Sequence, residues 1–486
     1  MSFVISRHKF FKDVFFASLA PLFGIIQTLC VVPLITKFMG SEVYGVWVQF
    51  GVTVSLASLV IGLNLGHCMY RFLPGIKNQE QLGGVFTAIS SIALTISLTI
   101  AAGLVIFRAE VASFLFRDMK YSNVVVYLAF FILLEAVFAK YTTFLKARRY
   151  FREEAFISIA RPLCVTIVLI CVTIKTRSIS TIIASYVVVQ FLMTLGTFIF
   201  VHRNIIKIYQ PDFKNIPEYL GFGIPLLPVV LGYWIVNTSD RYLIMFFEGA
   251  SSVGIYSVAY AVASVPVLAM MPVFTVLLPD LSALYDDGHV EELVTRFNRV
   301  QKYFFAFGIP SIVGISILSK PLIRLFSTSE FISAYNIMFV VLPGLFLFVV
   351  LHLHTQLLNV LKKTRLLSLV WIGMAGLNFL VNIALIPKIG IMGAGISTLL
   401  SYLSGAVIVV TQTRKSFDIR FKAGWLLKIA VCSVLMAVIL GFIPADSLVM
   451  LITAVFAGVV VYTLCMLAVR FVDKSERLLI KSLFFG

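Results

Sequence analysis

A chain of 486 residues that is 60% hydrophobic and only 13% charged has too little polar sequence to cover a soluble domain, where about 25% of residues are charged. Its net charge of +17 does not point to nucleic acid, because Lys and Arg fall in short clusters between apolar runs, the pattern that orients a membrane protein. Cys30, Cys68, Cys164, Cys171, Cys432 and Cys465 lie in or beside apolar segments without a CxxC pair, so they read as free buried thiols rather than a disulfide or metal framework.

A membrane-spanning helix needs about 20 mostly apolar residues, and the chain supplies about fourteen such runs. The first, 14–36, follows Arg7, His8, Lys9 and Lys12. It lacks a small-residue cleavage site, so it is expected to stay as a first membrane helix. Then come 43–66, 82–107, 122–145, 154–175, 179–201, 218–247 and 252–278, followed by 300–318, 332–360, 366–387, 391–412, 424–443 and 447–470. Pro225, Pro228, Pro266 and Pro272 interrupt the seventh and eighth runs and are expected to mark bends. The polar stretch 280–299 holds Asp286, Asp287, Glu291, Glu292, Arg296 and Arg299 and is expected to form a short interfacial helix. No interruption is long enough for a soluble domain.

Alternating the loops from the N-terminus puts a large excess of Lys and Arg on one side. That side receives Arg7/Lys9/Lys12, Arg71/Lys77, Lys146/Arg148/Arg149/Arg152, Arg203/Lys207/Lys214 and Arg296/Arg299/Lys302. It also receives Lys362/Lys363/Arg365, Arg414/Lys415/Arg420/Lys422/Lys428 and Arg470/Lys474/Arg477/Lys481. The positive side is expected to be cytoplasmic, with both termini on it.

The chain echoes itself at a separation of about 209–217 residues. Phe38-x-Gly40-x4-Gly45-Val46-Trp47 matches Phe247-x-Gly249-x4-Gly254-Ile255-Tyr256. Leu145-Lys146 to Arg149 matches Leu361-Lys362 to Arg365. Ile179-Ser180-Thr181 with Ser185-Tyr186 matches Ile396-Ser397-Thr398 with Ser401-Tyr402. The separation spans an even number of helices, so the halves run in parallel, as suits a transporter with its site between two lobes. The expected architecture is an all-α integral membrane protein of about 14 helices: a six-helix lobe at 1–212, a second at 213–415, and two further helices with a tail at 416–486.

Asn237-Thr-Ser-Asp240-Arg241-Tyr242, with Gly249 and Val253-Gly254-Ile255-Tyr256-Ser257, resembles a stretch of the Wzx-type polysaccharide-export flippases of the multidrug/oligosaccharidyl-lipid/polysaccharide (MOP) exporter superfamily. Pro33-Leu-Ile-Thr36, Gly40 and Tyr44-Gly45-Val-Trp47 resemble their first loop. Asn378, Asn382 and Pro387-x2-Gly390-x2-Gly393-Ala-Gly395 resemble the turn between their eleventh and twelfth helices. The glycine run there lacks the strand–turn–helix setting of a nucleotide site. The resemblance runs through nearly the whole chain. It implies a MATE-like fold in the bacterial inner membrane whose two lobes alternate around a central cavity. The implied substrate is an undecaprenyl-pyrophosphate-linked oligosaccharide for O-antigen, capsule or exopolysaccharide assembly. Implied partners are membrane lipid and a polysaccharide polymerase or ligase. No cofactor is expected, and any energy coupling is expected to a proton or sodium gradient.

Such a substrate needs cations for its phosphates, and amides, hydroxyls and aromatics for its sugars. Ionisable residues within helices are costly and so suggest function. Arg161 is the deepest cation; snorkelling or a structural partner is its other reading. Asn237, Asp240 and Arg241 stand at i, i+3 and i+4, which puts Asn237 on the face of both charges; a structural ion pair is the alternative. Asn64, His67 and Arg71 recur at i, i+3 and i+7, fit either to receive a pyrophosphate or to anchor the interface. Glu135 and Lys140 are five apart and face different ways, so each needs a partner from another helix. Lys140 is a second candidate cavity cation. His352 and His354 lie on nearly opposite faces and lack the spacing of a metal pair. Asn378 and Asn382 share a face and suit helix–helix hydrogen bonding. A multidrug antiporter of the same superfamily would want acids deep in the cavity, yet deep cations are at least as frequent as deep acids, which favours an anionic substrate; a glycan polymerase or ligase would want a catalytic constellation on a long outer loop, and no outer loop is long. A scaffold role fits neither the repeat nor the intramembrane charges.

Overall fold

The first long helix shows how the chain economises on turns. Ile26–Gly62 is a 37-residue apolar run, which as one straight helix would measure about 55 Å against a hydrocarbon core of about 30 Å. Gly40, at φ 81° and ψ −176°, breaks it. Two spans therefore meet at a single residue that lacks a Cβ to clash in that conformation. Among the described residues, thirteen helices are long and apolar enough to cross a membrane, and the break at Gly40 resolves the first into two, in agreement with the about fourteen spans expected from composition. The computed structural model describes residues 7–472, with side chains from residue 23 on except residue 25. The side chains of Arg7, His8, Lys9 and Lys12 and the cations Lys474, Arg477 and Lys481 lie outside the described residues. Every regular element described is helical.

Two expectations are corrected. The run 252–278 is two helices, Ala250–Ala263 and Val265–Asp286, because Pro266 has no N–H to donate and its ring crowds the preceding turn. The polar stretch 280–299 forms no separate interfacial helix. Val265–Asp286 ends at the Gly288 turn (φ 78°) and Val290–Ile317 starts at once, with Glu291 and Glu292 in its first turn. Acids there complement the positive end of the helix, so the polar residues lengthen two spanning helices instead. Pro225 falls in the single 3-10 turn Ile224–Leu226 that joins Ile216–Gly223 to Leu227–Thr238.

The duplication is visible element by element. Gln79–Ile106, Arg108–Phe116, the 3-10 turn Met119–Tyr121, Ser122–Ala147, Phe151–Thr176 and Ile179–Asn204 follow one another in the first half. Val290–Ile317, Ser319–Phe326, the 3-10 turn Ser329–Phe331, Ala334–Val360, Thr364–Ile389 and Ile391–Arg414 follow in the same order in the second. Gly249 repeats Gly40 with φ 87° and ψ −176°. Even a helix stop is copied: Tyr150 N–H bonds to Leu145 O and Arg149 N–H to Lys146 O, while Lys363 N–H bonds to Leu358 O and Lys362 N–H to Asn359 O. Both stops use a left-handed residue, Arg149 or Lys362, in the Schellman manner. This register pairs Leu145 with Leu358, not Leu361. It also sets the start of Ile179–Asn204 against that of Ile391–Arg414, so the Ile179/Ile396 echo is out of step with the fold.

The chain forms two compact units, Met1–Ser257 and Val258–Gly486. The first is centred on Phe86, Tyr141 and Phe144, with Leu65, Met69, Val85 and Leu145 around them. In the second, Ala334–Val360 packs along Ile391–Arg414, which in turn packs on Thr364–Ile389. His354 is fully buried there, with Nδ1 2.8 Å from Thr413 Oγ1 and Nε2 3.1 Å from Gln301 Oε1. Asn382 Nδ2 donates to Asn378 Oδ1 at 3.0 Å along one helix, and Ser397 Oγ donates to Asn378 O at 2.7 Å between helices.

Candidate functional site

The intramembrane charges of the first unit fall into three settings. In the first, Arg161 on Phe151–Thr176 meets Glu135 on Ser122–Ala147 through two parallel hydrogen bonds, Nη2 to Oε2 at 2.7 Å and Nη1 to Oε1 at 3.3 Å. Gln190 Nε2 donates to the same Oε2 at 3.0 Å. The Arg161 guanidinium lies 4.8 Å from the Phe138 ring centre. Glu135 thus finds its partner on another helix, as its spacing from Lys140 requires.

In the second setting, Asp240 and Arg241 are both buried. Asp240 Oδ1 accepts from Arg241 Nη1 at 2.7 Å and from the Arg241 backbone N–H at 2.9 Å. Asp240 Oδ2 accepts from the Tyr256 hydroxyl at 2.5 Å, and Arg241 lies over the Tyr256 ring. Arg241 Nη1 also donates to Asn237 O at 2.6 Å, one turn back, while the Asn237 amide donates to Tyr233 O. Asn237 thus joins the set through its backbone carbonyl.

The third setting holds Lys140. It is 6% exposed, and no described carboxylate pairs with it. Its ammonium lies 4.0 Å from where a Cβ would stand on Gly62, at the carboxyl end of Ile26–Gly62, where helix carbonyls supply partial negative charge. Leu63 and Asn64 follow at φ 42° and 55°. A left-handed residue other than glycine costs roughly 1–2 kcal/mol, and such strain collects at functional positions. The break makes Asn64 the N-terminal flank of Leu65–Phe72, and its amide turns to Gly223 O at 3.3 Å. His67 and Arg71 stay exposed on that short helix, Arg71 against the Phe72 and Phe222 rings. Asn64 is therefore drawn off the common face expected of Asn64, His67 and Arg71.

A cavity of about 260 Å³, lined by Gln27, Tyr44, Trp47, Phe50 and Tyr186, opens in the same unit. Trp47 and Tyr186 approach to 5.2 Å between ring centres. Fully buried Gln49 leaves both amide atoms without a partner among the described residues. The sequence marks Tyr44, Trp47 and Tyr186 only as members of repeated or family-like motifs, because aromatics in an apolar helix carry no mark of lining a cavity rather than filling a core.

Near the glycine breaks, the two copies of the repeated motif touch. A Cβ on Gly45 would lie 1.8 Å from Ala250 O, and one on Gly254 would lie 2.3 Å from Ser41 O. Gly254 is the repeat image of Gly45, and Ala250 that of Ser41, so the contact is reciprocal. Ser41 Oγ and Ser251 Oγ stand 2.5 Å apart. Trp234 Nε1 donates to Ser55 Oγ and the Tyr242 hydroxyl to Thr53 Oγ1, which ties the segment before Gly249 to the arm after Gly40.

Solved structures share this duplicated bundle of spanning helices. The fold superposes on the lipid II flippase MurJ in an inward closed conformation with a TM-score of 0.76 at 19% identity, over 94% of this chain and 99% of that one. It superposes on an inward-facing MATE family multidrug resistance transporter of the MOP superfamily with a TM-score of 0.62 at 11% identity, over 82% and 94%. Residues 34–336 match the family model described as polysaccharide biosynthesis protein, and the chain belongs to that family. The probable low-salt glycan biosynthesis flippase Agl15 of Haloferax volcanii is 22% identical over 92% of this chain and 93% of its own length. The probable flippase AglR of the same organism is 24% identical over 50% of this chain and 53% of its own length. The family resemblance read from the sequence therefore holds.

Proposed function

We propose that this protein translocates a lipid-linked oligosaccharide from the cytoplasmic to the outer leaflet by alternating access. The substrate we assign is an undecaprenyl-pyrophosphate-linked repeat unit of O-antigen, capsule or exopolysaccharide, in a bacterial inner membrane with both termini cytoplasmic. A polymerase or ligase would take the unit on the far side. The lobes would be 1–212 and 213–415, with two added helices from 416. Family membership and a full-length flippase relative support the reading.

The observation that carries it is the balance of buried charge. The buried acids, Glu154 and Asp240, each face a cation, Lys146 and Arg241, whereas Lys140 is a buried cation with no carboxylate among the described residues. An interior with spare positive charge suits an anionic diphosphate; a cationic drug would call for spare acids. Lys140, with Arg71, His67 and Asn64 toward the inner end, is assigned to the diphosphate. Arg161, Asp240, Arg241 and Asn237 shape the path as matched charges. The cavity lined by Trp47, Tyr44 and Tyr186 suits sugar rings.

The test is deletion of the gene in its host and complementation. Loss of surface glycan with lipid-linked units held on the cytoplasmic leaflet is expected. Lys140→Gln should restore normal protein levels but not translocation, and Lys140→Arg should restore both. Translocated but unpolymerised units in the deletion strain would make the protein a later enzyme instead. Full transport by Lys140→Gln would remove Lys140 from the site.

A further inference from the structure

We propose that the buried amide of Gln49 destabilises the contact between the two repeated motifs and so keeps them able to part. Gly45, Gln49 and Thr53 stand at i, i+4 and i+8 on the arm that follows Gly40, so they share one stripe of the helix. Both ends of the stripe meet the segment that leads into and carries the second motif. Gly45 packs on Ala250 O, and Thr53 Oγ1 accepts from the Tyr242 hydroxyl at 2.9 Å. Ser41, one turn earlier, stands against Ser251. Gln49 therefore lies in the middle of the contact.

Its neighbours on the stripe suit what they meet: a glycine meets backbone, and hydroxyls meet hydroxyls. Gln49 does not. It is fully buried, and neither Nε2 nor Oε1 has a hydrogen-bond partner among the described residues. A side-chain amide carries two donor hydrogens and an acceptor oxygen. Burying them unpaired forfeits their hydrogen bonds to water, which is why the large majority of buried polar groups in folded proteins are paired. The aromatic cavity gives no relief. Trp47 and Gly51 line it, and each is two residues from Gln49, on nearly the opposite side of the helix.

The duplication supplies an internal control. The separation that carries Gly40 to Gly249 and Gly45 to Gly254 carries Gln49 to Val258. Val258 is fully buried as well. An apolar side chain thus serves this place in the repeat and leaves no polar atom unpaired, so packing does not call for an amide at 49. What the amide adds is a cost that lasts only while the stripe is closed, because parting the motifs lets water reach it. Close-packed contacts hold one arrangement or another rather than yielding by degrees. A cost placed inside one arrangement raises the population of the other. The use of this bias in transport rests on the alternating access proposed above; the bias itself does not.

Gln49→Met keeps the length of the side chain and removes the amide, and Gln49→Val makes the first copy match the second. In detergent, both full-length variants should melt above wild type. Thr53→Val breaks a satisfied bond on the same stripe and should melt below it, which separates relief of the amide from a general gain on apolar substitution. Ser41 is 1% exposed, so a thiol in Ser41→Cys meets a water-soluble maleimide only when the contact opens. In proteoliposomes, adding Gln49→Met should slow alkylation at position 41, read by peptide mass, about tenfold or more. The same change should slow translocation in complemented cells. If alkylation is unchanged or faster, or if both Gln49 variants melt at or below wild type, the amide is satisfied where it stands and the proposal is wrong. If alkylation slows while deletion of the gene leaves translocation intact, the bias stands and the transport reading fails.

Discussion

Asp240 commits both carboxylate oxygens, one to Arg241 and one to Tyr256. Asp240→Asn would remove the carboxylate that pairs with the buried Arg241 guanidinium, and breaking a buried pair by removing one partner costs about 3–5 kcal/mol. The double variant Asp240→Asn/Arg241→Gln has no uncompensated charge and should recover most of that loss. Thermal unfolding in detergent reads both. Equal melting of the single variant and wild type would show that the pair holds nothing. This pair was legible from spacing because its members are adjacent. Arg161 and Glu135 were each recognised as costly, but their union joins positions 26 residues apart on neighbouring helices, and helical periodicity speaks only about a residue's own helix. The same reason hid the hydrogen bond from Tyr256 to Asp240.

Between elements, the reciprocal contact of the two repeated motifs is the tightest feature of the first unit. Gly45→Ala and Gly254→Ala would each drive a methyl into backbone, which cannot yield as a flexible side chain can. Each should therefore push the motifs apart and lower the melting temperature. The complementary test joins them. Ser41→Cys/Ser251→Cys places two thiols where hydroxyls now stand 2.5 Å apart, and it should oxidise to a disulfide detectable by peptide mass mapping. If access alternates as proposed, oxidation should stop translocation and a reductant should restore it. Failure to cross-link would mean that the motifs do not meet. The motif was legible as an echo; its contact was not, because a glycine that permits a turn and a glycine that permits close approach look alike in sequence. The echoes also misjudged register. Leu, Ile, Ser and Lys recur so often in a membrane chain that Leu145 matched Leu361 by composition, while the hydrogen bonds of the helix stop pair it with Leu358.

For the whole molecule, the strongest information in the sequence was the alternation of apolar run and basic loop. The structure adds that several loops on the positive side are shorter than they looked. Only 148–150 separates Ser122–Ala147 from Phe151–Thr176, and only 361–363 separates Ala334–Val360 from Thr364–Ile389. Turns this tight leave no room for a hidden span between those helices. That gives a prediction for topology. Fluorescent-protein fusions after residue 212 and after residue 418 should fold and glow on the cytoplasmic side, and a fusion after residue 445, in the turn before Leu448–Ala468, should stay dark. Alkaline phosphatase at the same points should give the opposite pattern. The points after 418 and 445 are decisive because the helix Ala423–Phe442 alone lies between them. If both report one side, that helix does not cross. If they report opposite sides, with 418 inside, the connector that carries Arg414, Lys415, Arg420 and Lys422 lies at the leaflet from which the lipid-linked substrate is proposed to enter.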